Sequence, residues 1–130
     1  MIYCLLITIK RPIMEKIGSL GIVPFNKGTY LYVGSAKNGL DKRIKRHLSK
    51  DKKRYWHIDY LLANPSVVLD KVFYTEKKEE CAFARQVSKN AYLTNGFGCS
   101  DCKCKSHLFR LTSKKLLDEL TEFDIETLAQ

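Results

Sequence analysis

Two side chains in this sequence have the type and placement to act on a phosphodiester. Tyr32 stands where a strand breaks off at Gly34, and Arg43 stands in the basic helix that follows a polar turn through Gly39. A phenol can give up or relay a proton. A guanidinium offers paired N–H donors to phosphate oxygens and stays charged. The strand's last side chains and the helix's first turns converge at one sheet edge, so two separate elements would deliver the pair to one place. Lys42, Arg43, Lys45, Arg46, Lys50, Lys52, Lys53 and Arg54 crowd the same part of the chain. A basic concentration of this kind attracts polyanions and speeds their encounter. Nucleic acid outranks a membrane surface as the partner, because no apolar insertion face backs the patch. A solvated lysine-rich helix would read the same way.

Two weaker sets adjoin this one. Tyr55 and Trp56 lie beside Lys52, Lys53 and Arg54 and could stack on an unpaired base. His57 could contact phosphate or aid proton transfer next to the basic groove. The plainer alternative packs Trp56, Ile58 and Leu61 in the core and leaves His57 and Asp59 to capping hydrogen bonds. Cys99, Cys102, Cys104 and His107 are four ligands of the kinds zinc takes. All four within residues 99–107 would form an unusually tight knuckle, so a buried turn or a disulfide pair stays open beside zinc. The serine, aspartate and histidine of the same stretch lack the strained turn of a hydrolase nucleophile. Five cysteines, an odd number, rule against a complete disulfide framework. Cys4 and Cys81 read as small hydrophobes.

The elements that must hold these groups follow from pattern. At 130 residues, with 45% apolar and 28% charged residues, the chain reads as one soluble domain over 1–130. No apolar run approaches the roughly 18 residues a membrane span needs. Residues 1–9 are strand-length and lack a basic leader, which predicts a first strand rather than a signal peptide, and a cytoplasmic protein. The net charge of +9 is uneven, with Asp118, Glu119, Glu122, Asp124 and Glu126 making the C-terminal part acidic.

Residues 13–23 have mixed spacing and leave helix or strand open. Residues 24–28 carry turn chemistry, and 29–33 form a second strand. The next helix places Leu40, Ile44, His47 and Leu48 on one face, flanked by Arg43 and Arg46, with Lys42, Lys45 and Lys50 outward. A short helix over 56–62 stops at Asn64-Pro65. A third strand covers 67–74. Thr75 can cap a helix running roughly over 76–93. A cysteine-rich loop, a strand over 106–111 and a helix from Ser113 complete the chain. The order predicts an α+β fold, a small mostly antiparallel sheet of three or more strands flanked by helices.

The stretch Tyr32-Val33-Gly34, Ala36-Lys37-Asn38 and Arg43 resembles the second half-motif of the GIY-YIG nuclease superfamily, with Gly39 as an extra residue before Leu40. Met1-Ile2-Tyr3 is similar to the first half-motif, with methionine in place of glycine. Tyr3 is preferred over Tyr30, because Gly28-Thr29-Tyr30 leaves no hairpin before Tyr32. The chain, to about Leu111, looks like an uncharacterised GIY-YIG-like branch found alone or fused to base-excision glycosylases. The resemblance implies a DNA endonuclease of repair or recombination type. It makes Tyr32 the general base and Arg43 the phosphate clamp, with Tyr3 and His47 beside them, and one magnesium or manganese ion on a helix glutamate. Lys37 of the motif joins Lys42, Lys45, Arg46, Lys53, Arg54 and His57 as nucleic-acid contacts. The chain departs from the pattern at the metal ligand: Arg85 falls where the glutamate belongs, and Glu80 lies more than one turn earlier. Either Glu80 replaces the ligand, or metal-dependent cleavage has lapsed and Arg85 grips phosphate in a binding module. A small zinc-binding interaction domain is the third reading.

Overall fold

The computed structural model describes residues 1–37, 39–49, 52–99 and 102–129. Asn38 of the polar turn, Lys50 of the basic segment, and Ser100 and Asp101 of the cysteine-rich loop lie outside the described residues.

Strand β1 (Ile2–Ile9) is the middle of the sheet, with β4 (Gly28–Ser35) on one edge and β5 (Val67–Thr75) on the other. Outward from β4 come β7 (Leu108–Leu111) and β6 (Ala91–Leu93), and outward from β5 comes β8 (Thr121–Phe123). The result is a six-stranded antiparallel sheet in the order β6-β7-β4-β1-β5-β8. A separate hairpin pairs β2 (Ile13–Lys16) with β3 (Ile22–Phe25) across a 3₁₀ turn at Gly18–Leu20.

Both faces of β1 are covered, and this explains why it is apolar at nearly every position rather than at alternate ones. Tyr3, Leu5, Ile7 and Ile9 meet helices α1 (Leu40–Leu48) and α2 (His57–Leu62) through Ile44, Ile58 and Leu61, with Ile17 and Phe25 from the hairpin region. Ile2, Cys4 and Leu6 meet helix α3 (Glu80–Ser88) through Phe83, Ala84 and Val87. The expected α+β sheet flanked by helices is what forms. Among the described residues, no helix is long and apolar enough to cross a membrane.

The expected elements change at several points. The helix expected over 76–93 is confined to Glu80–Ser88. Thr75 ends β5 instead of capping a helix, its hydroxyl accepting from the Lys77 amide. At the other end, Lys89 and Asn90 turn the chain so that Ala91–Leu93 pair with the edge of β7. Edge pairing satisfies those backbone groups better than another helical turn would. Pro24 and Phe25 belong to β3, where an unpaired edge tolerates proline. The helix expected from Ser113 is a 3₁₀ segment, Lys115–Glu119. The undecided 13–23 stretch is the hairpin.

Candidate active-site cavity

The β1–β4 register sets Tyr3 opposite Gly34. A Cβ at Gly34 would fall 2.5 Å from Tyr3 Cζ and 2.6 Å from its hydroxyl oxygen. Only glycine therefore lets the phenol lie across the strand at this point. Tyr3 is almost fully buried, and its hydroxyl is 2.7 Å from His47 Nε2. Burial, reinforced by the charge of Lys52 and opposed by Asp59, pushes the His47 pKa down to about 3. The ring is thus neutral, and Nε2 and the phenol share this one hydrogen bond. Burial raises the Tyr3 pKa, with Arg43 partly opposing it, so Tyr3 keeps its proton near neutrality. His47 Nδ1 is buried and has no hydrogen-bond partner among the described residues.

Tyr32 packs its ring 6.4 Å from those of Tyr3 and His47 and 6.2 Å from Phe97, centroid to centroid. Its pKa stands well above the ordinary phenol value because of burial, then the neighbouring charges of Tyr3 and Glu80, against Arg43. Tyr3, Tyr32, Lys37, Lys42, Arg43 and Glu80 all line one cavity of about 750 Å³. Glu80 is the one carboxylate on that wall among the described residues. It is there because α3 begins at Glu80, at the cavity rim, instead of further upstream.

Trp56 forms another wall. Arg43 and Arg46 lay their guanidinium carbons 4.4 Å and 4.2 Å from its ring centroid, contacts worth about 0.5–1 kcal/mol each where partly exposed. Arg46 is also committed to Asp59, which has no exposed side-chain surface. Asp59 accepts from Arg46 Nη1 at 2.7 Å and Nη2 at 2.8 Å, and from the Tyr55 and Trp56 amides at 2.8 Å each. Burial alone would raise its pKa, but these donors together hold the carboxyl below the usual range. Lys52 closes the end of α1 by donating to the carbonyls of Arg46 and His47. The pairing of Arg46 with Asp59 was not legible in the sequence, where Arg46 read as a free basic contact.

The remaining site residues divide by location. Lys45, Lys53 and Arg54 are exposed and lie off the main cavity. His57 accepts from the Gly98 amide at 2.9 Å. With Tyr55, Trp56 and Tyr60 it lines a neighbouring cavity of about 390 Å³ that shares Tyr32 with the first. Arg85 is exposed on α3 and lines a third cavity, of about 550 Å³, away from Tyr3, Tyr32 and Arg43. Tyr30 spends its hydroxyl on the Asn26 carbonyl and stays outside the main cavity.

The cysteine-rich loop departs from its expected ligand set. Cys81, Cys102, Cys104 and His107 bring one ligand atom each to within 4.8 Å of one another, a cluster that could hold a metal. Cys99 turns its thiol to the Phe97 carbonyl instead. Cys81, expected as a small hydrophobe, takes its place because the sheet carries the start of α3 up against residues 102–107. Among the described residues, Cys99 is not part of this cluster.

The depressed His47 pKa makes a pH prediction. The unfolded chain binds a proton at His47 below about pH 6.5, and the folded chain does so only below about pH 3. Stability is therefore expected to fall as pH drops through this window, by about 2 kcal/mol at pH 5. Asp59 adds its own loss only when pH falls below the ordinary carboxylate range. Urea unfolding at pH 7 and pH 5 should show the drop, and His47→Gln should remove the larger part of it, burial holding His57 down as well.

A family model described as "Domain of unknown function DUF123" matches residues 2–129. No curated protein and no solved structure matches the chain.

Proposed function

The chain belongs to this DUF123 family, and we propose that it is a GIY-YIG-like nucleic-acid-binding domain that hydrolyses DNA phosphodiester bonds, in repair or recombination, with one divalent ion. The observation that carries this reading is the single cavity shared by Tyr3, Tyr32, Arg43 and Glu80. Three of these come from the two half-motifs, and the fourth is the carboxylate whose reach was open in the sequence.

Each group has work that its position supports. Lys37 and Lys42, both exposed at the rim, draw the strand in. Arg43, steadied on Trp56, forks onto two oxygens of the scissile phosphate. Tyr32, whose hydroxyl has no hydrogen-bond partner among the described residues, faces the attacking water. The hydrogen bond between Tyr3 and neutral His47 holds that phenol in place on the cavity wall. A phenol kept protonated by burial is a poor base, and Arg43 opposes that rise. Glu80 suits magnesium or manganese, which need one carboxylate with water and phosphate; when bound, such an ion supplies the charge that stabilises the leaving oxygen. The aromatic cavity beyond Tyr32 favours substrates with an unpaired base near the cut.

The test is cleavage of branched and linear DNAs with magnesium or manganese, wild type against Tyr32→Phe. The variant is expected to lose about 10²-fold or more in rate, with binding nearly unchanged. Equal rates would overturn the role of Tyr32. Binding by the wild type without cleavage on any substrate would favour the lapsed binding module.

A further inference from the structure

We propose that Cys81, Cys102, Cys104 and His107 hold one structural zinc ion, which clips the start of α3 to the loop entering β7. The proposal uses no catalytic assumption. The four donors arrive from two distant parts of the chain, Cys81 from α3 and the others from residues 102–107, yet their ligand atoms all lie within 4.8 Å of one another. Around a tetrahedral zinc with bonds of about 2.3 Å to sulfur and 2.0–2.1 Å to nitrogen, donor atoms stand roughly 3.5 Å apart. Cys102 Sγ and His107 Nε2 are 3.3 Å apart, so that edge is already at the spacing of a single ion.

The histidine is set for the role. Its Nδ1 lies 3.1 Å from the Val33 carbonyl and 3.4 Å from Glu80 Oε2. The Nδ1–H therefore donates to Val33, and the Nε2 lone pair faces the thiols. Backbone bonds lock the ring's attachment, with the Val33 amide donating to the His107 carbonyl and the His107 amide to Phe97. Metal-bound imidazoles are oriented by this kind of outer hydrogen bond. None of the cysteines forms a disulfide, so each sulfur is free to ligate a metal. Three sulfurs and one nitrogen select zinc over magnesium or manganese. Four protein ligands close the coordination sphere, which makes the site structural.

The consequence is local. Cys81 follows Glu80 directly, and both line the large cavity with Cys102. Zinc at this place fixes the peptide that carries the Glu80 carboxylate, so the ion positions Glu80 without touching a substrate.

The full chain, purified without added metal or chelator, should contain about one zinc per molecule by elemental analysis. Cys81→Ser should lose it, and Cys99→Ser should keep it. Because a ligand variant could unfold, two measurements use the wild type. Cobalt exchange should give the absorption of a tetrahedral, thiolate-rich site. Alkylation should spare Cys81, Cys102 and Cys104 until a chelator is added. Protein that holds no zinc and takes up no cobalt would overturn the proposal. So would stoichiometric iron, or loss of the ion in Cys99→Ser with retention in Cys81→Ser. A zinc-loaded chain that cleaves no DNA would leave this site standing and count only against the nuclease reading.

Discussion

Arg43→Ala is expected to reduce single-turnover DNA cleavage by about 10³-fold or more, the range over which an arginine acts on a phosphoryl transition state. The size follows from geometry. Arg43 carries the guanidinium that lines the same cavity as both phenols and Glu80, and its stacking on Trp56 narrows the directions it can take. Arg46, the other guanidinium on that wall, is bound to Asp59 through both of its terminal nitrogens and cannot take over. Lys42 is nearby and exposed, but an ammonium is a point charge without the fork. Arg43→Lys should therefore restore affinity at low salt and little of the rate. Arg43 makes no ion pair with a carboxylate among the described residues, so Arg43→Ala should lose only about the 0.5–1 kcal/mol of its contact with Trp56 in urea. Wild-type rates in Arg43→Ala would sink the assignment of the clamp.

Asp59→Ala is expected to cost about 3–5 kcal/mol of stability, the usual result of removing one partner of a buried ion pair. A domain of this kind has only about 5–15 kcal/mol in all. Asp59 satisfies four donors at once, two from Arg46 and two from the amides that begin α2. Its loss leaves a guanidinium uncompensated beside the cavity and frees the backbone on which Trp56 sits. Lys71 and Glu122 provide the contrast. Their 3.3 Å pair is more than half exposed on both sides, and Glu122→Ala should stay within about 0.5 kcal/mol of wild type. Chemical denaturation of the two variants side by side checks both. An Asp59→Ala protein as stable as Glu122→Ala would mean that the network contributes nothing net.

The parts of this arrangement legible in sequence were the local ones. Tyr32 and Arg43 are separated by one turn, so strand end and helix start had to meet. Residues 1–9 read as a strand whatever they paired with. Glu80 was ambiguous because acidic residues also decorate helix starts for electrostatic reasons, and only the observed start of α3 settled which carboxylate faces the cavity. Cys81 gave no signal at all. A single cysteine on a helix looks like a small apolar residue, and the sheet alone brings it to His107. β6 was hidden for a related reason, since Ala91–Leu93 is too short to show alternation and owes its form to its neighbour.

The central position of β1 has a bearing on how the chain acquires its structure during synthesis. Its two partners come later, β4 ending at Ser35 and β5 only at Thr75. Until residue 75 has left the ribosome, β1 offers at least one long apolar edge with nothing to cover it. Pairings this distant in sequence close slowly, and open apolar edges invite pairing between chains. A fragment ending before β5 should therefore aggregate faster than one that includes it. The same strand that carries Tyr3 to the cavity is thus the segment most in need of a chaperone's shelter.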